Sequence, residues 1–238
     1  MNLHGLTLLI PEKADSERNA VAQIWKSRGG EVLSLGKFWE PPLLEPATVR
    51  VYGNDTFCLV LAQKLGLDLK EPPEELLCGL PVEYLSREIK AISLIEIETE
   101  TFPLFCKSAA PKLFQAAVYT SAKDVQTECK DLEDTTRVLV SEIVKVNCEA
   151  RCFVLDGHVL DCAIYEGNES NRESAIEFAN KAAASLGLPE TCVMDIGYFQ
   201  GKGWGIVEFN ASWGAGLNSC DPEKVYPAIE RATRAACT

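Results

Sequence analysis

The stretch RCFVLDGHVLDCAIY, residues 151–165, places Asp156-Gly157 between two apolar runs. Asp-Gly favours the tight turn whose twist matches paired strands, so this is the strongest short hairpin signal in the chain. It predicts strands over 149–157 and 158–166. TCVMDIGYF (191–199) and WGIVEFNAS (204–212) repeat the pattern around Gly201 to Gly203. Two hairpins commit this part of the chain to antiparallel sheet. SNRESAIEFANKAAASLGL (170–188) lies between them and reads as a helix, capped by Ser or Asn and closed at Gly187.

The first third alternates differently. LTLLI (6–10), EVLSL (31–35) and VRVYG (49–53) read as strands. SERNAVAQIWKSRG (16–29), with Ser16 as its cap, and DTFCLVLAQKLGL (55–67), with Asp55 at its start, read as helices. That order predicts a small α/β unit with a parallel sheet. PPEELLCGLPVEYLSREI (72–89) holds three prolines and reads as a connector of short helical turns. A boundary there gives an amino-terminal α/β domain over 1–89 and a second domain of α+β lobes over 90–238. In the second, FPLFCKS (102–108), AAVYTS (116–121) and TRVLVSEIV (136–144) are further strands, and a last helix runs from about Pro222 to Ala236.

A formal net charge of −12 argues against a nucleic-acid surface, which needs basic side chains clustered along one face. No apolar stretch is long enough to span a membrane, and MNLHGLTLLIPEKADSE has neither a basic leader region nor a small-residue cleavage site. The ten cysteines are scattered without a CxxC pair; Cys58, Cys106, Cys152 and Cys192 sit in apolar runs, where a free thiol packs as a small hydrophobe. With only His4 and His158 beside them, a zinc site is not expected. A reducing, cytoplasmic compartment is.

Side chains alternate along a strand, so Glu208 and Asn210 face one way while Val207 and Phe209 face the other. If the second hairpin pairs, Asp195 can stand opposite Glu208 and Asn210. Three oxygen ligands without thiolate or imidazole suit a hard cation such as Mg²⁺ held jointly with phosphates. A sheet with one wetted face would carry the same residues for solvation alone. Lys107 interrupts an apolar strand and is either a point charge for a phosphate or a snorkelling side chain. Arg151 either clamps a phosphate or pairs with Glu149. Neither GxGxxG nor GxxxxGK[ST] occurs, His158 stands at a turn, and Ser212 lacks the glycine of a nucleophile elbow.

FPLFCKS, VLVSEIV, EARCFVLDG, VMDIGY and VEFNASWGAGL, in that order, resemble the ATP-grasp superfamily of ATP-dependent carboxylate ligases. KSAAPKLFQAAVY and RVYGNDTFCLVLAQKLGL are similar to a small clade of ATP-grasp domain proteins. The resemblance runs from about residue 49 to 231, and the D…ExN arrangement is its most specific part. It implies an ATP-grasp fold behind a small amino-terminal α/β domain. It also implies ADP-forming, ATP- and Mg²⁺-dependent joining of a carboxylate to an amine through an acyl phosphate, on an amino acid or peptide. By the same resemblance Lys107 touches the nucleotide, and Glu142, Ile143 and Val144 hold adenine and ribose. Arg151 is directed at phosphate or acyl phosphate, and Arg87 (or Lys90) supplies a second basic contact. Asp195, Glu208 and Asn210 ligate Mg²⁺.

SAAPKLFQA departs from the family, which has a glycine-rich loop over the phosphates there; Lys112 would substitute by charge. The departure keeps open a non-catalytic ATP-binding regulatory module. A metal-dependent phosphoester hydrolase using the same carboxylates is a third reading.

Overall fold

The computed structural model describes residues 2–110 and 113–236. β1 (Thr7–Pro11), α1 (Ser16–Ser27), β2 (Glu31–Leu35), β3 (Val49–Val51) and α2 (Asp55–Leu65) follow in the predicted order. β1 pairs in parallel with β2 and with β3, giving sheet order β2-β1-β3. As the central strand, β1 buries Leu8, Leu9 and Ile10 in succession, as a strand covered on both faces must. The cap of α1 is Asp15, not Ser16: its carboxylate accepts the Arg18 N–H, and Ser16 begins the helix. Asn54 caps α2 in the same way.

β4 (Leu67–Leu69) precedes the proline-bearing connector, whose one short α-helix is α3 (Val82–Leu85). β5 (Ile89–Ser93), β6 (Leu104–Ser108), β7 (Ala117–Tyr119), α4 (Ala122–Glu128) and β8 (Arg137–Ser141) come next, then β9 (Val146–Leu155), β10 (His158–Glu166), α5 (Arg172–Ser185), β11 (Thr191–Phe199) and β12 (Gly203–Asn210). The last helix, α6 (Pro222–Arg231), ends five residues before the expected Ala236. Thr233–Ala235 instead forms β13, antiparallel to β4.

Contacts divide the chain into two units. One comprises the residues up to Pro72, Cys148–Ile196 and those from Glu208 on; the other comprises Pro73–Asn147 and Gly197–Val207. In the first, Leu8, Trp25 and Tyr52 from the amino-terminal segment share a core with Phe153, Val193, Tyr226 and Ile229. Strands from the two predicted hairpins form the sheet β10-β9-β11-β12. In the second unit the sheet β5-β8-β6-β7 is antiparallel. Its core is built from Ile92, Leu104, Cys106, Val138 and Val140, with Val125 and Cys129 from α4 and its C-cap.

The cysteines behave as small hydrophobes: eight of the nine described are buried, Cys78 excepted, and none is in a disulfide. Burial pushes the Cys192 thiol up to about 12. Among the described residues no helix is long and apolar enough to cross a membrane.

Candidate functional site

In the first unit the alternation of β9, β11 and β12 brings four of the expected side chains together. Arg151 Nε donates to Asp195 Oδ1 (2.8 Å) and Nη2 to Asp195 Oδ2 (2.6 Å), a two-pronged ion pair. The guanidinium therefore faces Asp195, not Glu149; that carboxylate accepts instead from the Tyr165 hydroxyl. Arg151 Nη1 donates to the Gly216 carbonyl (2.9 Å). Asn210 Nδ2 donates to both Asp195 Oδ2 (3.1 Å) and Glu208 Oε1 (3.2 Å), so one amide bridges two carboxylates. This is the face shared by Glu208 and Asn210 that the period of two required.

Electrostatics follow from depth. Asp195 is 2% exposed. Burial pushes its carboxyl above the usual carboxylate range; Arg151 pulls it down and the charge of Glu208 adds to the rise. For Arg151 burial acts downward, but the hydrogen bonds and charge of Asp195 outweigh it and the guanidinium stays firmly charged. The ion pair keeps a charge at a depth where an isolated one would be neutralised.

Among the described residues no group of three or more His, Cys, Asp and Glu side chains could hold a metal ion alone. The set here is two carboxylates and an amide, all hard oxygen donors. The bridging Asn210 N–H group already sits where positive charge is shared between Asp195 and Glu208. An amide offers an oxygen as well as an N–H. The set therefore suits a small hard cation that takes its remaining ligands from phosphate and water.

The second unit holds Lys107, Glu142, Ile143, Val144 and Arg87. Lys107 lies on β6 opposite Leu139 of β8. With Phe105 it points away from the core that Leu104 and Cys106 enter. Glu142–Lys145 leaves both neighbouring strands, and Ile143 is exposed. Glu142 Oε1 accepts from Lys202 Nζ (2.7 Å) and the Glu88 N–H (3.1 Å); the Lys202 bond leads in holding this carboxyl below its ordinary value. Arg87 is buried and donates to the carbonyls of Leu85 (2.9 Å), Ile206 (2.8 Å) and Val207 (3.1 Å), with its guanidinium over the Phe199 ring. Burial lowers its pKa to about 10. Lys112 lies outside the described residues.

Sequence reading passed over three members of the first unit's network. Tyr165 stands on β10 beside Arg151, and its charge interactions reach Asp195. Tyr52 donates to the Ala215 carbonyl (2.9 Å), and Glu17 accepts from the backbone of residues 217 and 218. None carries a local motif. Ser212 is fully buried against Thr191 (2.9 Å), consistent with its lack of a nucleophile-elbow sequence.

Solved structures share the fold. D-cycloserine synthetase DcsG is 15% identical, with TM-score 0.60 over 95% of this chain and 99% of that one. N5-carboxyaminoimidazole synthase from Aspergillus clavatus, in complex with ADP and 5-aminoimidazole ribonucleotide, is 13% identical, with TM-score 0.59 over 96% and 77%. ATP-grasp ligase PsnB, complexed with a phosphomimetic variant of its minimal precursor, Mg and ADP, is 14% identical, with TM-score 0.51 over 96% and 96%. No curated protein matches in sequence. Residues 84–228, more than half of the chain, match the model of an ATP-grasp domain, the second family of its clade, and the chain belongs to that ATP-grasp family.

Proposed function

We propose that the protein is an ADP-forming ligase that activates a carboxylate with ATP and Mg²⁺ as an acyl phosphate and passes it to an amine, on an amino acid or a peptide. The observation that carries this reading is the network of buried Arg151 and Asp195 with half-buried Glu208 and Asn210 on one face of β9, β11 and β12. Asp195, Glu208 and Asn210 would hold Mg²⁺, which when bound neutralises phosphate charge and polarises the phosphoryl oxygens. Arg151 supplies a fixed positive charge beside them, aimed by Asp195 and Gly216 and therefore needing little reorganisation when charge develops. Phosphoryl transfer asks the protein for positioning and charge rather than a nucleophile. Lys107 would meet the nucleotide from β6, and the segment Glu142–Val144 would hold adenine and ribose. Residues 1–89, as the amino-terminal domain, would shape the acceptor side.

The test is calorimetric titration of Mg·ATP into the full chain and into the double variant Asp195→Asn, Glu208→Gln, both checked for folding. Mg²⁺-dependent affinity should be lost in the variant, and affinity equal to the parent's refutes the assignment. The glycine-free SAAPKLFQA favours a second reading, ATP binding without turnover. Incubation with ATP and mixed amino acids and peptides separates the two: sustained ADP release rules out a pure binding module.

A further inference from the structure

We propose that Glu17 is a positioning residue for Arg151, acting through the single peptide unit that joins Gly216 to Leu217; its catalytic meaning rests on the ligase reading above. Glu17 lies in the first turn of α1, far in sequence from the network it would serve. Its Oε2 accepts the Leu217 N–H (2.8 Å) and its Oε1 the Asn218 N–H (2.9 Å). The carbonyl of Gly216 accepts from Arg151 Nη1 (2.9 Å). That carbonyl and the Leu217 N–H are opposite ends of one trans peptide plane. Whatever fixes the N–H therefore fixes where the oxygen points. Glu17 holds one end and Arg151 the other, and a carboxylate on the N–H polarises the carbonyl as an acceptor for the guanidinium.

The surrounding backbone needs such a tether. Asn218 and Ser219 both have positive φ, 45° and 71°, a conformation that costs residues with a Cβ and is kept only where neighbours enforce it. Tyr52, donating to the Ala215 carbonyl, pins the other side of the loop. Gly216 completes the arrangement by its size: a Cβ there would stand 2.8 Å from Glu17 Oε2 and 4.0 Å from Arg151 Nη1. A methyl group at 216 would push the flexible carboxylate off its two amides while leaving Glu17 in the chain.

The experiment reads Arg151 itself. In the full chain labelled with ¹⁵N, the Arg151 Nη1–H resonance is identified by its loss in Arg151→Lys, and its exchange with water is followed in Glu17→Ala, Glu17→Gln and Gly216→Ala. Exchange should quicken roughly ten-fold or more in Glu17→Ala, because hydrogen bonds to a charged group are at stake. Gly216→Ala should reproduce the effect and Glu17→Gln should fall between. Mg·AMPPNP affinity should fall in the same rank order. Should Glu17→Ala fail to fold, Glu17→Gln and Gly216→Ala carry the comparison. Unchanged Arg151 exchange, with the Leu217 and Asn218 amides newly exposed, overturns the proposal; so do Leu217 and Asn218 amides that stay protected in the folded variants. A parent protein that binds no Mg·AMPPNP would refute the ligase reading but leave the Arg151 comparison intact.

Discussion

Among single residues, Glu230 is a side chain whose loss should cost much stability. Its Oε1 accepts from Arg50 Nε (2.9 Å), Arg50 Nη2 (2.8 Å) and Arg234 Nη1 (3.0 Å), at 3% exposure. Arg50 is itself buried, and desolvation lowers its pKa despite Glu230. Glu230→Ala would strand a buried guanidinium, so urea denaturation should show a loss of about 3–5 kcal/mol. A loss as small as that of an exposed pair, under about 1 kcal/mol, would show that Arg50 finds other partners or water. Nothing in VRVYG says what Arg50 pairs with, because the partner is distant in sequence and pairing is fixed only when β3 and α6 pack. The Asp195, Glu208 and Asn210 cluster was legible for the opposite reason: strand alternation fixes the shared face of Glu208 and Asn210, and one hairpin brings in Asp195. Arg87 was expected as a second basic contact through the family resemblance alone, and no local pattern announces the bonds its N–H groups make to the carbonyls of Leu85, Ile206 and Val207.

At the level of elements, the β9–β10 hairpin turns on Asp156 (φ 50°) and Gly157 (φ 74°), both left-handed as the Asp-Gly dipeptide implied. Register runs from His158 opposite Leu155 outward, with irregularities near Val159 and Ile164. Gly157→Ala must place a Cβ in that conformation and should destabilise the protein by about 1–2 kcal/mol. A melting temperature unchanged from the parent would mean that the turn relaxes to another type without disturbing the strands. Such local chemistry is readable from two residues. β5, β4 and β13 were not read as strands: β5 follows directly on the proline-bearing connector, and β4 and β13 stand at the ends of helical stretches. β5 is a strand because all five of its residues pair with β8, and β13 because Thr233–Ala235 lies against β4. The same pairing is why α6 stops at Arg231 and not at Ala236. Elements made by distant partners leave little trace in their own sequence.

For the whole molecule, the question is which stretch of chain can fold alone. The family match begins at residue 84, after β1, α1, β2, β3, α2 and β4. Yet the core of the first unit is shared across that point: Leu3, Leu8, Val21 and Trp25, all fully buried, pack in one cluster with Val193, Val225 and Tyr226. Each such side chain contributes roughly 1.5–3 kcal/mol on burial. Removing four of them forfeits on the order of 10 kcal/mol, comparable with the entire stability of an ordinary domain. The loss falls on the same unit that holds Arg151 and Asp195. A fragment of residues 84–228 should therefore leave the Arg151 and Asp195 backbone amides unprotected against hydrogen exchange and bind no Mg·ATP by calorimetry; any thermal transition it keeps belongs to the separate core of the second unit. The full chain should protect both amides under the same conditions. A fragment in which the Arg151 and Asp195 amides stay protected would mean that β9–β12 and α5 support a core without the amino-terminal segment. Binding by that fragment would further mean that Glu17 is dispensable for Arg151, since the fragment lacks it. The two tests thus constrain each other: Glu17 can position Arg151 only if the amino-terminal segment is part of the same folded unit.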